Sequence, residues 1–307
     1  MNYFEFNYSK KFNCIADKCT HNCCIGWDIN IDKSSLKKYQ ALARSDSRFE
    51  KAIQDNLFNL DGDYRCLFLD NDNLCHLIKN YGENSLCKTC KTHPRFKNFF
   101  SDRVETGLGL YCEEACRIIL TAKNKMKLVK VKESKTSKKL TTFERKVLSF
   151  RNKIIKILQD RSLTITNRVN LLESTSDISL DKLSFVDWKN EFCSLEKLKI
   201  NTFSFKDIPN ATGFSDINED FSNEFEQLLC YLTFRHISRA IDILDLRIRL
   251  IFIILCFKMI NHIFSLSKEK TLSTLIEIVR FFTSEIECSE QNQLTLLNKI
   301  ELLVSYK

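Results

Sequence analysis

The chain has 307 residues, of which 44% are hydrophobic, and a formal net charge of +8. This composition can form a sizeable core in one or two domains, and it excludes a disordered tail. Only six glycines and two prolines interrupt a sequence rich in Leu, Ile, Phe and Lys, so long helices are favoured over a turn-rich β fold. The sequence therefore predicts a mainly α protein.

The first segment, residues 1–122, is where the cysteines are concentrated. Ten of the fourteen lie there: Cys14, Cys19, Cys23, Cys24, Cys66, Cys75, Cys87, Cys90, Cys112 and Cys116. Residues 1–13 lack the apolar stretch of a secretory signal, so we expect a cytoplasmic protein whose thiols stay reduced. Thiols at this density then indicate metal binding rather than disulfide bonds.

The spacing of these cysteines bears on the kind of metal. Cys87 and Cys90 form one CxxC pair, but the second CxxC pair of a typical zinc site is missing. Iron–sulfur clusters accept more irregular spacing, so the pattern favours an iron–sulfur cluster, with zinc as the alternative. Adjacent side chains are hard to direct at one metal. We therefore expect one of Cys23 and Cys24 to serve another centre or to pack in the core.

The second segment, residues 123–140, is strongly basic. Between Lys123 and Lys139 there are eight lysines and a single acid, Glu133. We interpret it as a solvated linker. Nucleic acid is not expected as a partner, because no aromatic side chains lie among the lysines to stack on bases.

The third segment, residues 141–307, has helical periodicity throughout and is predicted to be an α-helical substrate-binding domain. Its longest apolar run, Leu250 to Phe257, is far shorter than the roughly 20 residues that span a bilayer, so no membrane partner is expected. The remaining cysteines are interpreted as buried hydrophobic residues: Cys193, Cys230, Cys256 and Cys288.

Three stretches of the first segment carry a family resemblance. "FNCIADKCTHNCCIGWDINID", "YRCLFLDNDNLCHLIKNYGENSLCKTCKTHPRF" and "GLYCEEACRIIL", in this order, resemble the N-terminal region of the flagellin lysine-N-methylase (FliB) family, which is related to CxxCxxCC metal-chelating proteins. The resemblance covers about residues 4–120. It implies metal ligands at Cys14, Cys19, Cys23, Cys24, Cys66, Cys75, Cys90 and Cys112. Cys87 and Cys116 are additional, and Leu67 and Glu113 stand where the family usually has proline.

The resemblance also implies an activity. Methyl groups would pass from S-adenosylmethionine to surface lysines of flagellin, in an enzyme that holds an iron–sulfur cluster, most simply a 4Fe-4S cluster. No complete Rossmann fingerprint is present, because only Gly107 and Gly109 approach the glycine-rich turn. Neither Cys-x3-Cys pair is followed by the third cysteine of a radical motif. We therefore expect a neutral lysine amine to attack the sulfonium methyl directly.

That attack needs a group to accept the lysine proton. The acids nearest the cysteines are Asp28, Asp32, Glu83, Glu113 and Glu114, and the nearest phenols are Tyr64 and Tyr111. We interpret each of them first as an ordinary surface or cap residue, so no catalytic residue and no donor-binding residue is assigned.

Other residues near the cysteines have two interpretations each. Trp27 either stacks on the donor or seals a cluster from water, and Arg95 either binds the donor carboxylate or forms a structural ion pair. His21, His76 and His93 can each replace a thiolate at a metal. Two other function classes stay open. One is a non-enzymatic zinc- or iron-chelating interaction module, and the other is an electron-transfer protein, which the lack of a flavin or nicotinamide fingerprint disfavours.

Overall fold

The structure is a computed structural model that describes residues 1–133, 138–176, 184–198 and 204–305. Within those residues the chain forms six short strands and twelve α-helices, which confirms the mainly α prediction. The strands are β1 (Asn2–Phe6), β2 (Ile53–Gln54), β3 (Leu57–Phe58), β4 (Arg95–Phe99), β5 (Arg103–Leu108) and β6 (Leu128–Lys132). The helices are α1 (Lys33–Leu42), α2 (Arg48–Ala52), α3 (His76–Tyr81), α4 (Lys88–Thr92), α5 (Glu113–Leu120), α6 (Thr142–Leu158), α7 (Ile165–Thr175), α8 (Phe185–Ser194), α9 (Ser222–His236), α10 (Ile243–Leu266), α11 (Leu272–Glu287) and α12 (Glu290–Ser305).

Four strands form one sheet in the order β4, β5, β1, β6. β1 pairs with β5 in parallel, and the other two pairs are antiparallel. β6 lies inside the segment 123–140 that we predicted as a basic linker, where the backbone of Leu128 pairs with that of Phe6. Residues 134–137 of that segment lie outside the described residues. The division of the chain into three segments stays a prediction.

A small hydrophobic core lies under the cysteine-rich loops. Tyr39 of α1 and Phe49 of α2 pack against Phe58 and Phe68, with ring centroids 5.0 to 5.8 Å apart. Asp32 caps α1 by accepting from the N–H of Ser35, as expected for a carboxylate at a helix N-terminus. Four short helices and the β2–β3 hairpin are thereby held around aromatic side chains.

A much larger core joins the sheet to the helices. The aromatic rings of Phe6 and Phe96 pack edge-on against Phe234 and Tyr231 of α9. α10 is buried on nearly every face, which fits its almost uniformly apolar sequence. Even so, in the part of the chain that the structure describes, no helix combines the length and apolarity needed to cross a membrane.

A buried ion pair ties the sheet to α6. Arg151 Nη2 donates to Glu105 Oε1 of β5 at 2.9 Å, and both side chains are buried. Arg151 Nη1 also donates to the Ser238 hydroxyl at 2.7 Å. The guanidinium lies over the ring of Phe234, with its carbon 4.7 Å from the centroid. This side chain therefore fixes the angle between the sheet and the helices that follow it.

Candidate metal centre in the cysteine-rich region

The first cysteines lie on a loop that one carboxylate holds in place. Glu113, at the first position of α5, accepts from the Thr20 N–H at 2.9 Å, the Thr20 hydroxyl at 2.7 Å and the His21 N–H at 3.3 Å. His21 Nε2 then meets Glu277 of α11 at 2.7 Å. The loop is thus fixed to two helices, and His21 is engaged in an ion pair away from the thiols.

Two of the predicted ligands, Cys75 and Cys112, and the additional Cys87 stand immediately before a helix. Cys75 precedes α3, Cys87 precedes α4 and Cys112 precedes α5. A thiol in this position faces unpaired backbone N–H groups, which favour its thiolate form. The Leu77 and Ile78 N–H groups act in this way on Cys75, although burial outweighs them and raises the pKa of that thiol.

Five thiols form what we call the core thiol group: Cys24, Cys66, Cys75, Cys87 and Cys90. All five pack on the small aromatic core, and the Cys66 N–H donates to the Cys24 carbonyl at 2.8 Å. Cys87, which the resemblance leaves out of the ligand set, belongs to this group and is fully buried. A hydrogen bond from the Cys90 thiol lowers the pKa of Cys87 to about 7 and raises that of Cys90.

A second set, which we call the outer thiol group, consists of Cys14, Cys23 and Cys112, of which Cys23 and Cys112 neighbour His93. His93 Nε2 is buried and forms no hydrogen bond within the described residues. Burial lowers the pKa of His93, but the neighbouring thiols of Cys112 and Cys23 reverse this effect and raise it to about 10. An imidazole surrounded by thiols in this way is chemically a candidate metal ligand.

The two groups meet at the adjacent cysteines. The Cys24 thiol hydrogen-bonds to that of Cys23, which lowers the pKa of Cys23 and raises that of Cys24. Cys24 also neighbours Cys75 and Cys66 of the core group, whereas Cys23 neighbours both His93 and Cys75. That one of these two cysteines serves another centre or packs in the core stays a prediction.

Cys19 and Cys116 both neighbour Cys112 of the outer thiol group but have other partners of their own. Cys19 donates its thiol to Glu113 Oε2 at 3.5 Å, and burial raises its pKa to about 12. Cys116 is fully buried in the large core, where its thiol meets the Ile276 carbonyl at 3.6 Å. Farther along the chain, Cys230 and Cys256 are buried as predicted, whereas Cys193 and Cys288 are only partly buried.

The donor atoms suit a thiophilic metal, but they are not arranged as a finished site. Across residues 1–133, 138–176, 184–198 and 204–305, no three Cys, His, Asp or Glu side chains are placed as a set that could hold a metal ion. Thiols at helix starts and the unpaired buried nitrogen of His93 are nevertheless the donor types that zinc and iron–sulfur clusters take. Metal binding here therefore stays a prediction.

The acids and phenols proposed from the sequence have other partners or face solvent. Asp32 accepts from the Lys88 N–H at 2.8 Å in addition to capping α1, and Glu114 pairs with Arg117 at 2.6 Å. Asp28, Glu83 and Tyr64 are exposed. None of these five lies in either thiol group.

Tyr111 is the phenol nearest the outer thiol group. Its ring centroid lies 5.7 Å from that of His93, and its hydroxyl donates to the Pro94 carbonyl at 3.3 Å. Burial raises the pKa of Tyr111, so the phenol stays protonated at neutral pH. It can donate a hydrogen bond there, but it is a poor proton acceptor.

The structure also shows the surroundings of the other residues with two interpretations in the sequence, namely His76, Arg95 and Trp27. His76 pairs with Asp46 at 2.9 Å, outside the thiol groups. The Arg95 guanidinium lies over the ring of Phe12, with its carbon 5.3 Å from the centroid. Trp27 is half-buried.

Sequence reasoning missed a buried polar network behind the outer thiol group. The Tyr231 hydroxyl donates to Glu287 at 2.5 Å and accepts from the Leu110 N–H at 3.2 Å. His236 Nε2 meets the other oxygen of Glu287 at 3.1 Å. The sequence does show Glu287 among the apolar residues of α11, but it gives no indication of its partners, which lie on α9. This network links α9 and α11 to the strand end that leads into Cys112.

Comparison with known proteins gives three relatives. The flagellar biosynthetic protein FliU of Salmonella muenchen is 33% identical over 130 residues, which are 38% of this chain and 76% of FliU. Lysine-N-methylases of Salmonella typhimurium and Salmonella choleraesuis are each 32% identical over 131 and 130 residues, again 38% of this chain.

The matched part spans about a third, 32%, of the length of the two lysine-N-methylases. No family model matches the chain, and no solved structure matches it. The identity to FliU, of which most of the length is covered, is nevertheless sufficient to assign a family. The chain belongs to the family of FliU and the lysine-N-methylases.

Proposed function

We propose that this protein is a cytoplasmic lysine N-methyltransferase that transfers methyl groups from S-adenosylmethionine to flagellin, and that its N-terminal cysteines hold an iron–sulfur cluster. The observation that carries the proposal is the 32% identity to proteins named lysine-N-methylase. The name of FliU, a flagellar biosynthetic protein, supports a flagellar substrate.

The thiol groups support the metal part of the proposal. Four thiolates are the usual ligand set of a 4Fe-4S cluster, and the core thiol group offers five candidates packed on the small aromatic core. Cys23, Cys112 and His93 offer a mixed set of sulfur and nitrogen donors beside it. When bound, a cluster would supply a thiolate-ligated iron centre that crosslinks these loops.

The chemistry of methyl transfer sets a requirement on the substrate. A lysine amine attacks a sulfonium methyl only in its neutral form, and its ordinary pKa is about 10.4. A partly closed site that removes water from the ammonium group lowers that pKa and supplies the neutral amine. The half-buried rings of Tyr111 and His93, 5.7 Å apart beside the outer thiol group, are the candidates for a wall of such a site.

The test of the enzyme proposal uses protein purified without oxygen. The protein is incubated with flagellin and S-adenosylmethionine, and flagellin peptides are read by mass spectrometry for methyl mass gains on lysine. We expect gains that require both the donor and the protein. If metal-loaded protein binds flagellin but adds no methyl group across a range of pH, a non-enzymatic metal-chelating interaction module replaces the enzyme proposal.

The metal proposal has its own readout. An iron–sulfur protein is brown and absorbs broadly in the near-ultraviolet and visible, whereas a zinc protein is colourless. Metal analysis of the same sample gives iron and zinc per chain. A colourless preparation with stoichiometric zinc and no iron would establish the zinc alternative and overturn the iron–sulfur proposal.

A further inference from the structure

A surface depression lies where edge strand β4 meets the end of α9, away from the cysteines. It has a volume of about 530 Å³ and is lined by Lys97, Asn98 and Phe99 of β4 and by Arg235, Ser238 and Arg239. Asn98 Nδ2 donates to the Phe234 carbonyl at 2.8 Å, which fixes the strand against the helix. The walls of the depression therefore belong to two firmly joined elements.

The depression carries an excess of positive charge. Arg235 has a carboxylate partner, since its Nε lies 3.6 Å from Glu287. Within the described residues no ion pair involves Lys97 or Arg239, and the nearest polar partner of Arg239 is the Gln293 amide oxygen at 3.5 Å. Burial lowers the pKa of Arg239, and the like charges of Arg235 and Arg249 lower it further. Glu287 and Glu290 act in the opposite direction on Arg239, but three cations and no acid line the depression itself.

An apolar rim borders this charge. The side chain of Phe99 is 69% exposed, and Ile241, directly after the lining residue Ala240, is 80% exposed. Ile243 follows at 51% exposed. Single exposed apolar residues are ordinary, but several beside a cluster of cations are typical of a surface that another macromolecule covers. Protein interfaces combine such apolar contacts with charged groups, although here the charges lie at the centre and the apolar residues at the border.

A chain of polar contacts also connects the depression to the outer thiol group. Arg235 pairs with Glu287, Glu287 accepts from the Tyr231 hydroxyl, and Tyr231 accepts from the Leu110 N–H. Leu110 stands two residues before Cys112. A segment bound in the depression would therefore be held at a fixed position relative to the thiols.

We propose that this depression docks an acidic segment of the protein substrate, with the carboxylates of that segment at Lys97 and Arg239 and an apolar side chain against Phe99 and Ile241. Charge complementarity sets the sign of the partner, and the apolar rim favours a protein segment over a nucleic-acid backbone. The inference rests on the proposed function in one respect, namely that the partner is the protein that receives the methyl groups.

The test compares charge reversals by the dissociation constant for flagellin. Lys97→Glu and Arg239→Glu are expected to weaken binding by about tenfold each and to reduce its dependence on salt. Phe99→Ser is expected to weaken binding with little change in salt dependence. Lys37→Glu and Arg44→Glu, which make the same charge change at exposed positions near the small core, serve as matched controls and should bind like the unmodified protein. Circular dichroism confirms that each variant is folded.

The outcomes separate this inference from the proposed function. Equal weakening in the controls, unchanged binding by Lys97→Glu and Arg239→Glu, or no binding of flagellin by the unmodified protein would each overturn the docking site. If binding depends on Lys97 and Arg239 while no lysine is methylated, the docking site stands and the enzyme proposal fails. If lysines are methylated while these two variants bind normally, the enzyme proposal stands and the docking site fails.

Discussion

Glu113 holds Thr20 by two hydrogen bonds to the same carboxylate oxygen, one from the backbone N–H at 2.9 Å and one from the hydroxyl at 2.7 Å. Glu113 directly follows Cys112, whereas Thr20 lies between Cys19 and Cys23. A single acceptor thus places the early cysteine loop against the start of α5. The position of Cys23 relative to Cys112 depends on it.

Replacing this acceptor should loosen the loop. Glu113→Ala removes the acceptor of the Thr20 and His21 N–H groups, which are partly open to water, so we expect the free energy of unfolding to fall by about 1 kcal/mol. Hydrogen exchange at Thr20 and His21 should accelerate. Glu50→Ala, at an exposed site on α2, is the control and should change neither quantity. Unchanged exchange at Thr20 in Glu113→Ala would show that the loop is held by other contacts.

The contribution of Glu144 should depend on pH. Burial opposes ionisation, but the Thr141 and Ser101 N–H groups, each 2.7 Å from an oxygen, lower the pKa of this carboxyl below its usual value. Its stabilisation is then fully present above about pH 5 and is lost as pH falls through the lowered pKa. Glu144→Gln should cost about 1 kcal/mol at pH 7, and the difference should shrink in acid.

The measurement for Glu144 is urea unfolding at several pH values. Glu301→Gln, at an exposed site on α12, controls for removing a negative charge. A difference between Glu144→Gln and the unmodified protein that stays constant from pH 7 to pH 3 would refute the electrostatic origin.

The buried pair of Glu105 and Arg151 should behave as one unit. Arg151→Leu leaves the Glu105 carboxylate buried without its partner, and Glu105→Leu does the same to the guanidinium, so each should cost about 3–5 kcal/mol. The double variant should cost much less than the sum, because it removes both charges. Chemical unfolding of the four proteins gives the coupling energy. Strictly additive losses would mean that the two charges do not stabilise each other.

The cysteines should divide by location. Cys66→Ser and Cys90→Ser, in the core thiol group, should lose metal and soluble yield, because the loops around them have little other core. Cys256→Ser, buried in α10, should keep the metal and lose about 1–3 kcal/mol from burying a hydroxyl. Metal content per folded chain is the measurement. Equal metal loss in both kinds of variant would contradict the division.

The sequence was informative where local pattern determines structure. The helical periodicity after residue 141 predicted α6 and the helices that follow it, and the buried positions of Cys230 and Cys256 agree with their apolar surroundings. Both predictions depend only on residues within a few turns of the same helix.

It was less informative where a feature depends on distant partners. Leu128–Lys132 was predicted as part of a basic linker, but it pairs with β1 near the start of the chain. Nothing in the residues around Glu105 indicates its partner Arg151, which comes from α6, 46 residues later. Cys87 looked additional by comparison with a motif, and only the packing of α4 on the small core places it with Cys66 and Cys75. No local pattern contains these pairings.

The adjacency of Cys23 and Cys24 has a consequence for how this region can change. Their α-carbons are separated by one peptide unit of about 3.8 Å, so an insertion or deletion between them would displace one thiol from its neighbours. By contrast, the Gly62 turn has open space around it and can accept a side chain or added residues. Variation in length should therefore accumulate at turns such as Gly62, while the step from Cys23 to Cys24 keeps a fixed length for as long as both sets of neighbours persist.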